Sequence, residues 1–211
     1  AAAFDGGLET AELRYFAGLA NFRSGKLAVA LESMERAVAL DPVRADYYAD
    51  LAALRFEVGD AEGAEAALRE GLGVDPASVP VLGDLGQLLM DQRRYEEAAD
   101  LLDSLLRVEP YNVDGLNRRG LIELYAGRVV SASGFLERAL KLVPDEPSLL
   151  GNLGICMRQR GEFEAAVGYL ERAIQLQPDV PELFNNLGSA QLGLDAFDEA
   201  REAFEKALEL K

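Results

Sequence analysis

The strongest constraint on the fold is a regular spacing of prolines. Five prolines each lie 34 residues from the next: Pro42, Pro76, Pro110, Pro144 and Pro178. A fixed period of this length is typical of repeat architectures. Used as a register, it divides the chain into the units 11–44, 45–78, 79–112, 113–146, 147–180 and an incomplete 181–211. We count positions from the first residue of each unit, and we expect residues 1–10 to be an N-terminal extension or linker.

Two further columns follow the same period without a gap. Position 20 is alanine in all six units: Ala30, Ala64, Ala98, Ala132, Ala166 and Ala200. Position 8 never exceeds a methyl group: Gly18, Ala52, Gly86, Gly120, Gly154 and Gly188. Small side chains at fixed positions indicate helices that approach each other closely.

Each unit reads as a helical hairpin. Two apolar patterns of helical period flank a break that contains glycine in four units, at Gly25, Gly59, Gly127 and Gly161, and glycine suits the residue after a helix. The proline of each unit blocks continuation of the second helix and disfavours helical backbone in the residue before it. The sequence therefore predicts an all-α fold.

The columns resemble those of the tetratricopeptide repeat. The fifth unit shows them clearly, with Leu150-Gly151-Asn152-Leu153-Gly154 followed by Phe163, Ala166, Leu170, Ala173 and Pro178. The resemblance covers residues 11–211. It implies a single array of six helix-turn-helix repeats stacked into a right-handed superhelical solenoid, in which the first helix of each repeat lines a concave groove.

Composition argues against several classes of function. The chain has 37 acidic and 21 basic residues and a net charge of −16, so it should repel nucleic acids and anionic membrane surfaces. Its apolar runs are too short for membrane insertion. With no histidine and one cysteine, it offers no zinc site, no histidine-based catalytic centre and no cofactor motif. We expect a soluble non-enzyme, and cytoplasm and periplasm both remain open.

Two polar features inside the helices have structural interpretations. Cys156 falls where the pattern places small buried side chains, so a core role is favoured over a reactive thiol activated by nearby arginines. Arg119 replaces the usual leucine of its column, and Glu123 lies four residues later on the same helix face. These two side chains are expected to pair.

The resemblance also implies which residues face the groove, at positions 2, 5, 6, 9, 12 and 13 of each repeat. The first three repeats place six acids and one base at these positions, and the last three place two of each. Acids beside aromatic residues favour a basic partner segment with apolar anchors, although a solvated face of an acidic chain has the same composition. The candidate partner-binding residues are Phe16, Phe22, Asp46, Asp50, Phe56, Asp84, Gln87, Asp91, Asn117, Arg118, Asn152, Arg158 and Asn186.

Two asparagines of the later repeats share position 6. Asn152 and Asn186 resemble the asparagine ladder of some tetratricopeptide arrays, in which amides bind an extended peptide backbone. The same position in the earlier repeats holds Phe16, Asp50, Asp84 and Arg118. The ladder is therefore partial.

Three functions remain open: an adaptor that binds a protein or peptide in its groove, a scaffold that self-associates through its C-terminal repeat, and the regulatory or substrate-binding region of a larger enzyme or secretion-complex protein. We favour the adaptor. Leu208 and Leu210 belong to a face that a further repeat would cover, so they should be partly exposed. The chain begins with Ala1, and we expect it to be part of a longer protein. Seventeen arginines against four lysines suggest a bacterial genome.

Overall fold

The computed structural model describes residues 9–210, and every helix or strand element in this range is an α-helix. The predicted all-α helical-repeat fold is confirmed. The chain divides into two compact units, Ala1–Glu109 and Pro110–Lys211. Of the predicted N-terminal extension, residues 1–8 lie outside the described residues. No helix of the described part is long and apolar enough to cross a membrane.

Each compact unit contains three helical hairpins. Those of the first unit are α1 (Ala11–Arg23) with α2 (Leu27–Leu40), α3 (Ala45–Glu57) with α4 (Ala61–Val74), and α5 (Val79–Asp91) with α6 (Tyr95–Val108). Those of the second are α7 (Val113–Tyr125) with α8 (Val129–Leu142), α9 (Pro147–Gln159) with α10 (Phe163–Leu176), and α11 (Pro181–Leu192) with α12 (Phe197–Glu209).

The turn inside each hairpin depends on one residue at position 15. Glycine adopts positive φ there in four repeats, between 72° at Gly127 and 83° at Gly59. The other two repeats place Arg93 and Asp195 in the same left-handed conformation, with φ of 61° and 58°. In the first turn the amide of Gly25 donates to the carbonyl of Phe22 at 2.9 Å. This geometry ends the first helix and reverses the chain.

The small residues at position 8 set how closely the two helices of a hairpin pack. A Cβ placed on Gly154 would lie 2.5 Å from Cγ of Leu170, a fully buried leucine of the partner helix. A Cβ placed on Gly86 would lie 3.3 Å from Cγ and from Cδ2 of Leu102. The helices of the fifth repeat therefore approach so closely that only glycine fits.

The predicted pairing of Arg119 with Glu123 is confirmed, and a second arginine joins it. The Glu123 carboxylate is buried and accepts hydrogen bonds from Arg119 and from Nε of Arg128, the latter at 2.6 Å. The bonds from Arg128 and Arg119 outweigh burial and lower the pKa of Glu123 to about 2. The fourth repeat thus carries an arginine in an ion-pair cluster at position 7, where four other repeats carry leucine.

Candidate partner-binding site

The first helices of the first compact unit are neighbours, which brings its candidate residues together. Tyr15 of α1 donates its hydroxyl to Oδ2 of Asp50 on α3 at 2.7 Å. Its ring stacks on that of Tyr47, also on α3, with 4.6 Å between the ring centroids. Helix α3 in turn contacts α5. The predicted side chains at positions 2, 6, 9, 12 and 13 are thus carried by three adjacent helices.

Aromatic rings on these helices are exposed to solvent. Phe16 is 62% exposed and Phe56 is 55% exposed, whereas Phe22 is half-buried. The ring of Phe16 meets that of Tyr15 edge-on, with the centroids 5.4 Å apart, so Tyr15 supports it from one side. Exposed phenyl rings supply the apolar contact area on which interfaces depend.

The carboxylates of these helices differ in their surroundings. Asp46 forms a bidentate ion pair with Arg44, with distances of 3.0 and 2.6 Å, and this bonding lowers the pKa of Asp46. Asp50 is half-buried and holds Tyr15, whose pKa rises to about 12 through burial and through this hydrogen bond. The pair with Arg44 neutralises part of the charge that the sequence assigns to this region.

The third repeat carries two more of the candidate carboxylates on α5, the helix that contacts α3. Asp84 and Asp91 are both exposed. Nε2 of Gln87, a half-buried side chain, donates to Oδ1 of Asp91 at 2.8 Å. We call the whole set the acidic–aromatic face, which consists of Phe16, Phe22, Asp46, Asp50, Phe56, Asp84, Gln87 and Asp91.

The candidate residues of the second compact unit are amides and arginines. Nδ2 of Asn152 on α9 donates to Oδ1 of Asn117 on α7 at 3.1 Å. Arg118, Arg158 and Asn186 are half-buried. The Nε atom of Arg158 is buried and meets no acceptor. We call Asn117, Arg118, Asn152, Arg158 and Asn186 the amide face, and its two paired amides retain further donors and acceptors.

The sole cysteine belongs to the core and not to a site. Cys156 is fully buried, which confirms the prediction of a core role. Burial raises the pKa of its thiol to about 11 despite the opposing charge of Arg160. The thiol is therefore protonated at neutral pH and shielded from reagents.

The structure adds one residue to the site that the sequence did not single out. Arg44 precedes α3, pairs with Asp46 and lies over the ring of Tyr47, with 4.8 Å between its Cζ and the ring centroid. An arginine two residues before an aspartate in the first turn of a helix is a local signal for such a pair. Arg44 itself stands at position 34 of the first repeat, outside the positions that face the groove in the family.

Comparison with protein families gives one consistent result. Two family models described as tetratricopeptide repeats match the chain, one over residues 55–112 and the other over residues 1–45, 15–79, 84–147 and 152–211. No curated protein matches the chain significantly.

Several solved structures have a similar fold. The crystal structure of MamA is 26% identical, with a TM-score of 0.69 over 79% of this chain and 91% of that one. PilF of Pseudomonas aeruginosa is 22% identical, with a TM-score of 0.79 over 92% of this chain and 88% of that one. YrrB, described as having an unusual peptide-binding site, is 22% identical, with a TM-score of 0.72 over 86% and 93%. At 22% identity the last two show a shared fold.

Proposed function

Because the chain belongs to the tetratricopeptide repeat family, we propose that it is a non-catalytic adaptor that binds a basic, partly apolar segment of a partner protein. The observation that carries the proposal is the exposure of Phe16 and Phe56 on neighbouring helices that also carry exposed or half-buried carboxylates. Family membership supports protein binding in general, and the acidic–aromatic face supports the chemistry of the partner.

Phenyl rings and carboxylates together suit a particular kind of side chain. Lysine and arginine lay an apolar stem along an aromatic surface while the charged head reaches an acid, and a cation above a ring face gains a further attraction. The exposed carboxylates of Asp84 and Asp91 and the half-buried Asp50 supply the acids. The overall charge of −16 attracts a basic segment before contact forms and speeds its association.

The amide face offers a different contact, which we propose as a second binding surface for an extended backbone. An amide both donates and accepts hydrogen bonds, as peptide groups do. Asn117 and Asn152 hold each other in a fixed orientation, which reduces the ordering cost of binding. The description of YrrB as a protein with a peptide-binding site supports peptides as the class of ligand.

The proposal is tested with labelled peptides and matched charge variants. The probe is a fluorescent peptide that alternates Lys or Arg with Leu or Phe, and its control peptide carries Glu in place of each base. The variant Asp50→Asn/Asp91→Asn removes two charges from the acidic–aromatic face and retains an oxygen that can accept from Tyr15. The control Glu32→Gln/Asp100→Asn removes two charges from exposed positions of α2 and α6 in the same compact unit.

We expect the basic peptide to bind the wild type and the control variant equally. The dissociation constant of Asp50→Asn/Asp91→Asn should rise roughly two- to thirtyfold, since exposed ion pairs contribute about 0.2–1 kcal/mol each. Fluorescence anisotropy at constant ionic strength measures the dissociation constant of each peptide with the wild type and with each variant. Equal weakening by the two double variants, or equal binding of the Glu peptide, would refute binding at this face.

A further inference from the structure

The last hairpin of the second compact unit carries an open cavity. Its volume is about 380 Å³, and it is lined by Pro181, Glu182, Asn185, Phe204, Ala207 and Leu208. Leu208 is 69% exposed, as the sequence predicts. The residues come from both helices of the hairpin, so the cavity lies along the surface between α11 and α12.

Earlier hairpins show what occupies the equivalent place. Leu183, at position 3 of its repeat, lies against Gly151 at position 5 of the preceding hairpin, where a Cβ would come within 2.9 Å of its Cδ2. Val81, also at position 3, lies against Gly71 at position 27, with the corresponding distance 3.3 Å. In the last hairpin, positions 5 and 27 are Asn185 and Ala207, and both line the cavity. The cavity is therefore the socket for the position-3 side chain of a following repeat.

The chain also carries an exposed side chain of the kind that fills this socket. At position 3, Tyr47 and Val81 in the first compact unit and Leu149 and Leu183 in the second are at most 8% exposed. Leu13, at position 3 of the first repeat, is 52% exposed. Ala20, on the same helix two turns later, is exposed as well. The first hairpin thus presents the surface that later hairpins bury.

We propose that a second copy of this chain occupies the cavity, with Leu13 of one copy inserted between α11 and α12 of the other. The contact continues the interface that already joins successive hairpins within each compact unit, which identifies a tetratricopeptide hairpin as the fitting occupant. We call the exposed Leu13 side chain the knob. The contact is heterologous, because the knob and the socket are different surfaces of the chain, so association proceeds head to tail. This inference goes beyond the proposed adaptor function and does not depend on it.

The test uses two variants that each block one surface. Leu13→Glu charges the knob and leaves the socket intact, whereas Leu208→Glu charges the socket and leaves the knob intact. Both residues are exposed, so neither change should unfold the chain. The matched control is Val130→Glu, which places the same charge at an exposed valine outside both surfaces. Sedimentation equilibrium in 0.5 M NaCl, which screens the repulsion between acidic copies, measures mass from micromolar to millimolar protein.

We expect the average mass of the wild type and of Val130→Glu to rise with concentration beyond a dimer. Leu13→Glu and Leu208→Glu, each alone, should raise the dissociation constant for self-association at least about tenfold. An equimolar mixture of Leu13→Glu and Leu208→Glu should form a 1:1 dimer and stop there, because one intact knob meets one intact socket. A wild type that stays monomeric at every concentration would overturn the proposal, as would a mixture that associates no better than either variant alone.

Discussion

Replacement of Gly154 by alanine should destabilise the second compact unit, although alanine is the better helix former. A Cβ at this position would lie 2.5 Å from Cγ, 2.9 Å from Cδ2 and 3.1 Å from Cδ1 of Leu170. Leu170 is fully buried, and protein interiors are close-packed, so its side chain moves aside only at a cost. The added methyl group must shift the helices or force a strained rotamer.

The expected magnitude is a difference between two opposing effects. Alanine in place of glycine within a helix gains about 0.5–1 kcal/mol from its lower conformational entropy when unfolded. Overpacking of a close contact costs about 1–3 kcal/mol. The difference spans roughly 0–2.5 kcal/mol of lost stability, and the 2.5 Å approach to Cγ of Leu170 places Gly154→Ala in the upper part of that range. The change Gly86→Ala brings a Cβ only within 3.3 Å of Leu102, so it should range from neutral to about 0.5 kcal/mol stabilising.

Amide hydrogen exchange is the suitable assay, since repeat proteins often unfold in parts and each region has its own opening free energy. The slowest amides of α10 report on Gly154→Ala, and those of α6 report on Gly86→Ala. A double-mutant cycle with Leu170→Ala supplies the control. In that background the clashing atoms are gone, so Gly154→Ala should become stabilising by about 0.5–1 kcal/mol.

Two results would refute this reasoning. Equal effects of Gly154→Ala and Gly86→Ala would show that the difference in helix approach has no energetic consequence. A destabilisation by Gly154→Ala that persists unchanged in the Leu170→Ala background would assign the effect to something other than this contact.

Three other predictions concern single residues. The pKa of Glu123 lies at about 2, below its ordinary 4.5, so its contribution to stability is present above pH 4.5 and is lost as the pH falls towards 2; Glu123→Gln should flatten this part of the pH profile in thermal melts, and an unchanged slope would contradict the assignment. Cys156 should react with an aromatic disulfide reagent at neutral pH only when urea opens the fold, and rapid reaction of the native chain would disprove its burial. Arg93→Gly should stabilise the first compact unit by up to about 1 kcal/mol in urea unfolding, whereas Gly161→Ala should destabilise the second by a similar amount, because both positions have positive φ.

Most of the fold could be predicted because an exact period fixes each residue's environment. A residue at position 20 lies at the same place in every hairpin, so alanine in all six copies predicts a close contact, and all six alanines are buried. The glycines at position 15 identify turns in the same way. Arg93 and Asp195 adopt the turn conformation without glycine, and the period indicates their place although their own propensity does not.

The candidate site could be predicted less fully, because side-chain partners depend on rotamers and on neighbouring helices. Counting charges at groove positions gives Asp46 a full negative charge, yet Arg44 from outside those positions neutralises it. The ladder comparison implies that the amide of Asn152 binds a peptide backbone, yet its Nδ2 already donates to Oδ1 of Asn117. The socket that Asn185 and Ala207 help to line could not be predicted from the repeat pattern. It became evident only from the cavity itself and from the exposure of Leu13 and Leu208.

The most direct test of the adaptor function is a comparison of baits in an extract of the source organism. The baits are the wild type, Asp50→Asn/Asp91→Asn and Glu32→Gln/Asp100→Asn, and mass spectrometry identifies the retained proteins. The adaptor account predicts at least one protein that the wild type and the Glu32/Asp100 variant retain equally and that the Asp50/Asp91 variant loses. Retention of the same proteins by all three baits, or of none by the wild type, would contradict it.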